Sequence, residues 1–410
     1  VRILFRNVRV VDAETDRTAD VFVDGERIAA VMLPLTARTE GADLVVVPPA
    51  GTVLMPAFVE LHAHFRDPGF PEKETLESAS LAAVAGGYGT VVCMANTKPV
   101  MDSPAEASAL KARADALGLV DLYPALSLTL GMAGTDLGGL DALAAAAPEE
   151  RAAVRLLSED GKDVADDAVL RAAFKKAAGL GLPVSCHCDL DGEDRATERA
   201  LALGAATGAS VHIAHCSTAA SLEAVRRAKA RGERVTCEVT PHHLALTEAD
   251  AAALGAAGGG RVNPPLRTEA DRLAAVAAVR DGTADAIATD HAPHTAADKS
   301  AGAPGFTGLE TAFGVCRTVL CGPGGIDLKK LSELLSSAPA RILELADRGL
   351  VAPGLRSDLV LVAPDEEWTV DASRFRSRGK NTPYQGRALR GRVRLTLRGG
   401  RIVYDSGANK

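Results

Sequence analysis

Apolar residues run along this chain in two rhythms. From residue 1 to about 55 they alternate with polar ones in short stretches: Arg2 to Val11, Val21-Phe22-Val23, and Arg27 to Val31, the last two meeting at Asp24-Gly25, a hairpin dipeptide. The same rhythm returns near the end, in Asp358 to Val362, Val393 to Leu397 and Arg401 to Tyr404, with Gly399-Gly400 as the turn. Two β-rich ends around a different middle predict one small composite β-domain formed by both chain termini, residues 1–54 and 346–410. The middle, residues 55–345, alternates short apolar runs with Ala-rich stretches at helical spacing, the pattern of a parallel sheet with crossover helices.

The strand runs are Val53 to His64, Thr90 to Asn96, Leu119 to Leu126, Val154 to Ser158, Leu182 to Cys188, Ser210 to Cys216, Arg234 to Thr240 and Ala284 to Asp290. Helical stretches such as Lys73 to Ala85, Asp166 to Ala178, Ala219 to Arg231 and Ala270 to Arg280 separate them. Eight strands predict an α/β fold of (β/α)8 TIM-like barrel type. An open doubly wound sheet ranks second, because no Gly-x-Gly-x-x-Gly turn follows the first strands.

Composition narrows the function classes. With 47% hydrophobic, 24% charged and only 3% aromatic residues, the chain is globular with a core of Ala, Val, Leu and Ile. A net charge of −7 without a basic run argues against nucleic acid as a partner. No apolar run approaches the ~20 residues of a membrane span, and the first residues lack the order of a signal peptide. The seven cysteines are odd in number and mostly lie in apolar runs, which predicts reduced, buried thiols and a cytoplasmic protein.

The candidate chemistry falls at the C-terminal ends of the predicted strands, where α/β barrels build their active sites. His62 and His64 lie two apart, so a strand turns both imidazoles to one face, and Arg66 would follow if the strand reached it. Asn96, Asp160, His187, His215, and Asp290 with His294 end later strands. Four imidazoles and two carboxylates suit zinc, and six donors favour two metals over one tetrahedral ion. Asp160 is the expected bridge, since Arg155, at the position where a carboxylated lysine could serve, stays protonated. A thiolate site at Cys186, Cys188 and Cys216 is disfavoured because strand neighbours face opposite ways, which turns His187 inward. His212 is expected to be structural, and His242 and His243 to stand behind the ligands.

These residues resemble the class I dihydroorotases of the amidohydrolase superfamily. The resemblance is carried by His62-Ala63-His64-Phe65-Arg66-Asp67-Pro68-Gly69, Met94-Ala95-Asn96-Thr97, Glu159-Asp160-Gly161, Val239-Thr240-Pro241-His242-His243-Leu244, Val262-Asn263-Pro264-Pro265-Leu266-Arg267, Asp290-His291-Ala292-Pro293-His294, Gly308-Leu309-Glu310-Thr311 and Asn381-Thr382-Pro383-Tyr384-Gln385-Gly386. It implies that His62, His64 and Asp290 hold one zinc, His187 and His215 the other, and that Asp160 touches both. It assigns Arg66, Asn96 and His294 to the substrate carboxylate, and Asn263 and the backbone around Pro304-Gly305 to the ring. Asp290 would act as general acid and base, and the reaction would interconvert N-carbamoyl-L-aspartate and L-dihydroorotate in pyrimidine biosynthesis. A homodimer and association with aspartate transcarbamoylase are open for such a chain.

Glu60, Ala95, Glu159 and Asp189 depart from the family's usual residues, and the connection from His187 to His215 is short. Residues 295–305 read equally as a closing lid or a plain surface loop. Two rivals remain: a hydantoinase or allantoinase, whose neutral ring would leave Arg66 unpaired, and a catalytically dead barrel scaffolding aspartate transcarbamoylase, which should have lost ligands.

Overall fold

In the computed structural model, which describes residues 1–255 and 259–407, strands Phe58–Ala63, Tyr88–Cys93 and Asp121–Pro124 form one parallel sheet. Strands Leu157–Ser158, Val184–Cys186, Val211–Ile213, Val235–Val239 and Ala286–Ile287 form a second. Single parallel bridges, Leu126 to Leu157 and Ala63 to His291, join them at both edges, and the eight strands close into a barrel. Helices cover its outside, so the strands are apolar on both faces. Helix Leu76–Ala85 follows the first strand, Pro104–Leu117 the second and Asp167–Leu180 the fourth. The short connection between His187 and His215 still holds a full helix, Glu193–Thr207, so the fifth βα unit is complete.

Each seam between the two sheets is also crossed by a buried carboxylate. Glu60 accepts from the Thr289 backbone N–H at 3.0 and 3.1 Å, tying the first strand to the eighth. Glu159 accepts from the N–H groups of Leu128 and Thr129 at 2.9 and 3.1 Å, tying the fourth to the third. Both stand where the family resemblance leads one to expect the shorter Asp, and both use their length to reach main chain on the far side of a seam. Burial pushes the Glu60 carboxyl up to about 8.

The terminal β-sheet runs in the order Arg401–Asp405, Ala388–Arg398, Leu359–Thr369, Val53–Pro56, Arg2–Val11, Asp16–Asp24, Arg27–Met32, with Leu44–Val46 beside Arg2–Val11. The predicted run from Val53 to His64 is therefore two strands. Val53–Pro56 pairs antiparallel with Leu359–Val362 and parallel with Arg9-Val10, so this one segment joins the N- and C-terminal parts of the sheet. Proline has no N–H to extend the ladder, and the chain changes partners just beyond it: Ala57 N–H still donates to Asp358 O, next to Leu359, and Phe58 N–H turns to Gly87 O, both at 2.9 Å. The first hairpin turns one residue later than expected, with Asp24 paired to Arg27 and Gly25 taking φ +54°.

At the opposite end of the barrel from the candidate residues, Asp121 accepts from Arg348 and Lys111, each at 2.7 Å, and Arg348 also reaches Thr90 Oγ1 at 2.7 Å. The Arg348 and Asp121 side chains are 6% and 9% exposed. Burial works to raise Asp121, but the two cations outweigh it and hold the carboxyl below its usual range. Asp121→Ala leaves the buried Arg348 guanidinium with Asp347, at 2.9 Å, as its one carboxylate partner among the described residues, and is expected to cost about 3 kcal/mol of stability, the lower end of the range for breaking a buried pair. The depressed carboxyl stabilises the fold above its unfolded value of about 4 and loses that contribution as pH falls through the folded value. Denaturant midpoints of wild type and variant should therefore differ widely at pH 7 and converge in acid; equal midpoints at pH 7 would refute the role.

Candidate active site

His62 is the last residue but one of the first barrel strand and His64 lies just past its end, and both rings turn inward with centroids 5.4 Å apart. The strand stops at Ala63, so Arg66 does not inherit its direction. It sits at φ +58° in the following loop and still reaches the same end of the barrel. His215 and Asp290 also have positive φ, at 31° and 48°, as does Cys188 beside His187 at 60°. Such backbone costs ~1–3 kcal/mol per residue and concentrates where side chains must be aimed.

Asp160 sits at the centre. Its Oδ1 lies 3.1 Å from His62 Nε2, 3.2 Å from His187 Nδ1 and 3.8 Å from His215 Nε2, while Oδ2 lies 3.5 Å from His64 Nε2. Two clusters of ligand atoms result, His62/His64/Asp160 and Asp160/His187/His215, with Asp160 common to both. Asp290 Oδ1 lies 3.0 Å from His64 Nε2 and 3.6 Å from His62 Nε2, on the side of the first cluster. Burial works against the ionised form of Asp290, yet His62 and His64 outweigh it and hold the carboxyl below its usual range.

The donor set fits a divalent cation. His62 Nδ1 bonds Glu238 Oε1 at 2.9 Å, which places that ring's proton on Nδ1 and leaves Nε2 with a lone pair. Nε2 is buried without a hydrogen bond and faces two carboxylate oxygens. His187 Nδ1 and His215 Nε2 face each other at 3.0 Å beside the same Asp160. Lone pairs converging in this way call for positive charge between them, and imidazole with carboxylate is a donor set for zinc-like ions. Arg155 packs at 5.8 Å over the Tyr123 ring.

Glu238, which the sequence reading passed over, is the hub behind the ligands. It accepts from His62 and, at 3.0 Å, from His212 Nε2, while its Oε1 lies 3.3 Å from the His215 backbone N. Burial pushes it up, but the two histidines bring it to about 2. A carboxylate inside an apolar strand was the available signal, since such a group must be paired. His212 is thus structural, with its ring nitrogens taken by Thr236 and Glu238. His243 bonds Thr240 Oγ1 and Pro264 O, His242 packs on Phe306, and burial lowers both rings' basicity. His291 Nδ1 accepts from Gly308 N–H, and the ring lies 3.5 Å from Glu74. The cysteines are free, and all but Cys321 are buried.

Around the metal-binding cluster stand the other expected residues. Asn96 Oδ1 lies 2.9 Å from His64 Nδ1, with its Nδ2 3.5 Å from Asp160. Asn263 Nδ2 lies 3.1 Å from His187 Nε2 and 3.2 Å from Asp189. Arg66 reaches Pro293 O and His294 Nε2, both at 3.4 Å, and among the described residues no carboxylate pairs with it. His294 Nε2 also meets Pro304 O at 2.9 Å. Gly305 has its N–H on Arg261 O and its carbonyl held by Lys299 and Asn381, each at 3.0 Å. Residues 295–305 are not a loose flap. They carry a short helix, Ala296–Ser300, boxed by Thr295 and Asp298, and Lys299 donates to the carbonyls of Arg261, Ala303 and Gly305.

The amidohydrolase family model matches residues 53–403. The dihydroorotase of Anaeromyxobacter dehalogenans is 42% identical over 381 residues, 86% of each chain. That of Mycobacterium tuberculosis is 37% identical over 99% of each chain. Among solved structures, the L-hydantoinase of Arthrobacter aurescens superposes with a TM-score of 0.88 at 23% identity, covering 98% of this chain and 96% of its own. The dihydropyrimidinase of Brevibacillus agri gives 0.86 at 21%, covering 99% and 95%. At such identities the structures speak for the fold.

Proposed function

The chain belongs to the amidohydrolase family, and from that premise we propose that it is a dihydroorotase, a hydrolase of cyclic amides that interconverts L-dihydroorotate and N-carbamoyl-L-aspartate. The observation that carries the substrate choice is Arg66: a half-buried guanidinium at the edge of the metal-binding cluster that pairs with no carboxylate among the described residues. A substrate carboxylate supplies that partner, and a neutral hydantoin ring does not.

His62, His64 and Asp290 would hold one zinc, His187 and His215 a second, with Asp160 between them. When bound, zinc lowers the pKa of water from 15.7 to about 7 and polarises a carbonyl. The remaining work falls to the chain. Glu238 and Asn96 fix the tautomers of His62 and His64 so that each presents Nε2 inward. Arg66 grips the substrate carboxylate with its planar fork, His294 and the Asn96 amide N–H groups flank it, and Asn263 with the Pro304-Gly305 backbone closes around the ring. This aims the ring amide at Asp290. The Asp290 carboxylate takes a proton from the attacking water and delivers it to the departing amide nitrogen, so that one C–N bond breaks, one C–O bond forms and the proton ends on nitrogen. Ring closure runs the same transfers backwards, with water leaving.

Purified protein assayed in both directions, with metal content measured on the same sample, tests this reading. Turnover that a chelator reduces at least about 100-fold and added zinc restores is the expected outcome. Turnover of hydantoins but not of L-dihydroorotate would replace the reading with the neutral-ring one.

A further inference from the structure

We propose that Asn381, in the C-terminal part of the chain, is a positioning residue that holds the carboxylate-recognising wall of the active site; this rests on the dihydroorotase reading. Its Oδ1 accepts from His294 N–H at 3.0 Å, and its Nδ2 donates to Ala292 O at 2.9 Å and Gly305 O at 3.0 Å. Its own carbonyl accepts from Thr307 N–H at 3.2 Å. One side chain thus spans both arms of the loop after the eighth strand. The amide's orientation is set by its partners: exchanging its ends would set an NH₂ against an N–H and an oxygen against two carbonyls.

The held segment carries the substrate-facing cation. Pro293 O accepts from Arg66 Nε, and His294 Nε2 lies beside the other arm of the same guanidinium, both at 3.4 Å. Gly379 sits flush on this segment, where a Cβ would come within 2.6 Å of Pro293 Cβ. The clamp is itself anchored to the barrel. Glu310 accepts from the N–H groups of Arg376 and Ser377 at 2.9 and 3.1 Å, and Glu74 accepts from Arg378 N–H at 3.0 Å and from Ser377 Oγ. Asp290 is tied separately: its neighbour Thr289 bonds Glu60, its Oδ1 meets His64, and His291 O accepts from His64 N–H at 2.8 Å. Loosening Asn381 therefore weakens substrate capture and leaves proton transfer in place.

Asn381→Asp keeps the volume and sets an acceptor against two carbonyls; Asn381→Ala removes the clamp. Gln385→Ala is the control, in the same segment, whose side chain among the described residues accepts only from Ala372 N–H. In the zinc-loaded full chain, both Asn381 variants should raise KM in each direction at least about tenfold with kcat within about threefold. Zinc content should match wild type, and hydrogen exchange of residues 292–307 should quicken. Gln385→Ala should change none of these. If Asn381→Asp fails to fold, Asn381→Ala carries the same readings. An unchanged KM, a loss confined to kcat, or loss of zinc overturns the proposal. Should wild type be inactive in both directions, the dihydroorotase reading falls, and exchange over 292–307 decides the clamp alone: faster in Asn381→Ala upholds it, unchanged ends it.

Discussion

Asp290→Asn is expected to lower kcat by about 10³-fold or more in both directions, the upper part of the range for loss of a general acid–base group. The substitution keeps the volume and an oxygen facing His64, so the fold and most of the metal site should survive. Asn cannot accept the proton that bond cleavage requires. The role is specific because the other carboxylate in the centre, Asp160, is surrounded by four imidazoles, whereas among the described residues Asp290 pairs only with His62 and His64 and begins the loop that carries His294. Steady-state rates with zinc content measured on the same preparation check this. A variant that keeps its zinc and stays within tenfold of wild-type kcat would remove Asp290 from the proton transfer.

Arg66→Met should change what the enzyme accepts. Truncating one partner of a buried charged pair costs about 2–5 kcal/mol, which at 1.4 kcal/mol per tenfold is a loss of about 30- to several-thousand-fold in kcat/KM for L-dihydroorotate. Neutral cyclic amides have nothing to lose there, so any activity on a hydantoin should hold or rise as the unpaired cation disappears. The ratio of the two specificity constants is the reading, because a general disturbance of the site lowers both together. Equal losses on charged and neutral rings would show that Arg66 supports the loop and does not select the substrate.

Much of this site was legible in the chain because its determinants are local. The two-residue period of a strand predicts that His62 and His64 face one way, and both rings do turn inward, although His64 stands one residue past the strand's end and His215 leaves its own strand at φ +31°. Neutral imidazoles and carboxylates at the ends of successive apolar runs announce a metal-binding barrel, because in a parallel barrel those ends meet. The break at Pro56 was harder to see. The run is unbroken by any polar residue from Val53 to Val59, and only the competition between two sheets for its backbone hydrogen bonds divides it.

The sequence by itself determined the fold class, the composite terminal sheet and the types of ligand, since these follow from side-chain chemistry and periodicity along a few residues. Tertiary structure alone decided who stands behind them. Glu238 meets His62 across 176 residues and Asn381 meets His294 across 87, and no local pattern encodes a partner at that separation. The same holds for Glu60 and Glu159, whose extra methylene has a use only because a seam lies one strand away. The loop at 295–305, equally lid or surface by composition, is pinned because Lys299, which also holds the Ala303 and Gly305 carbonyls of its own loop, meets the carbonyl of Arg261, 38 residues away, that the fold brings beside it. Long-range hydrogen bonds are satisfied by whatever the packed fold places within reach, so their partners become fixed only when the chain has folded.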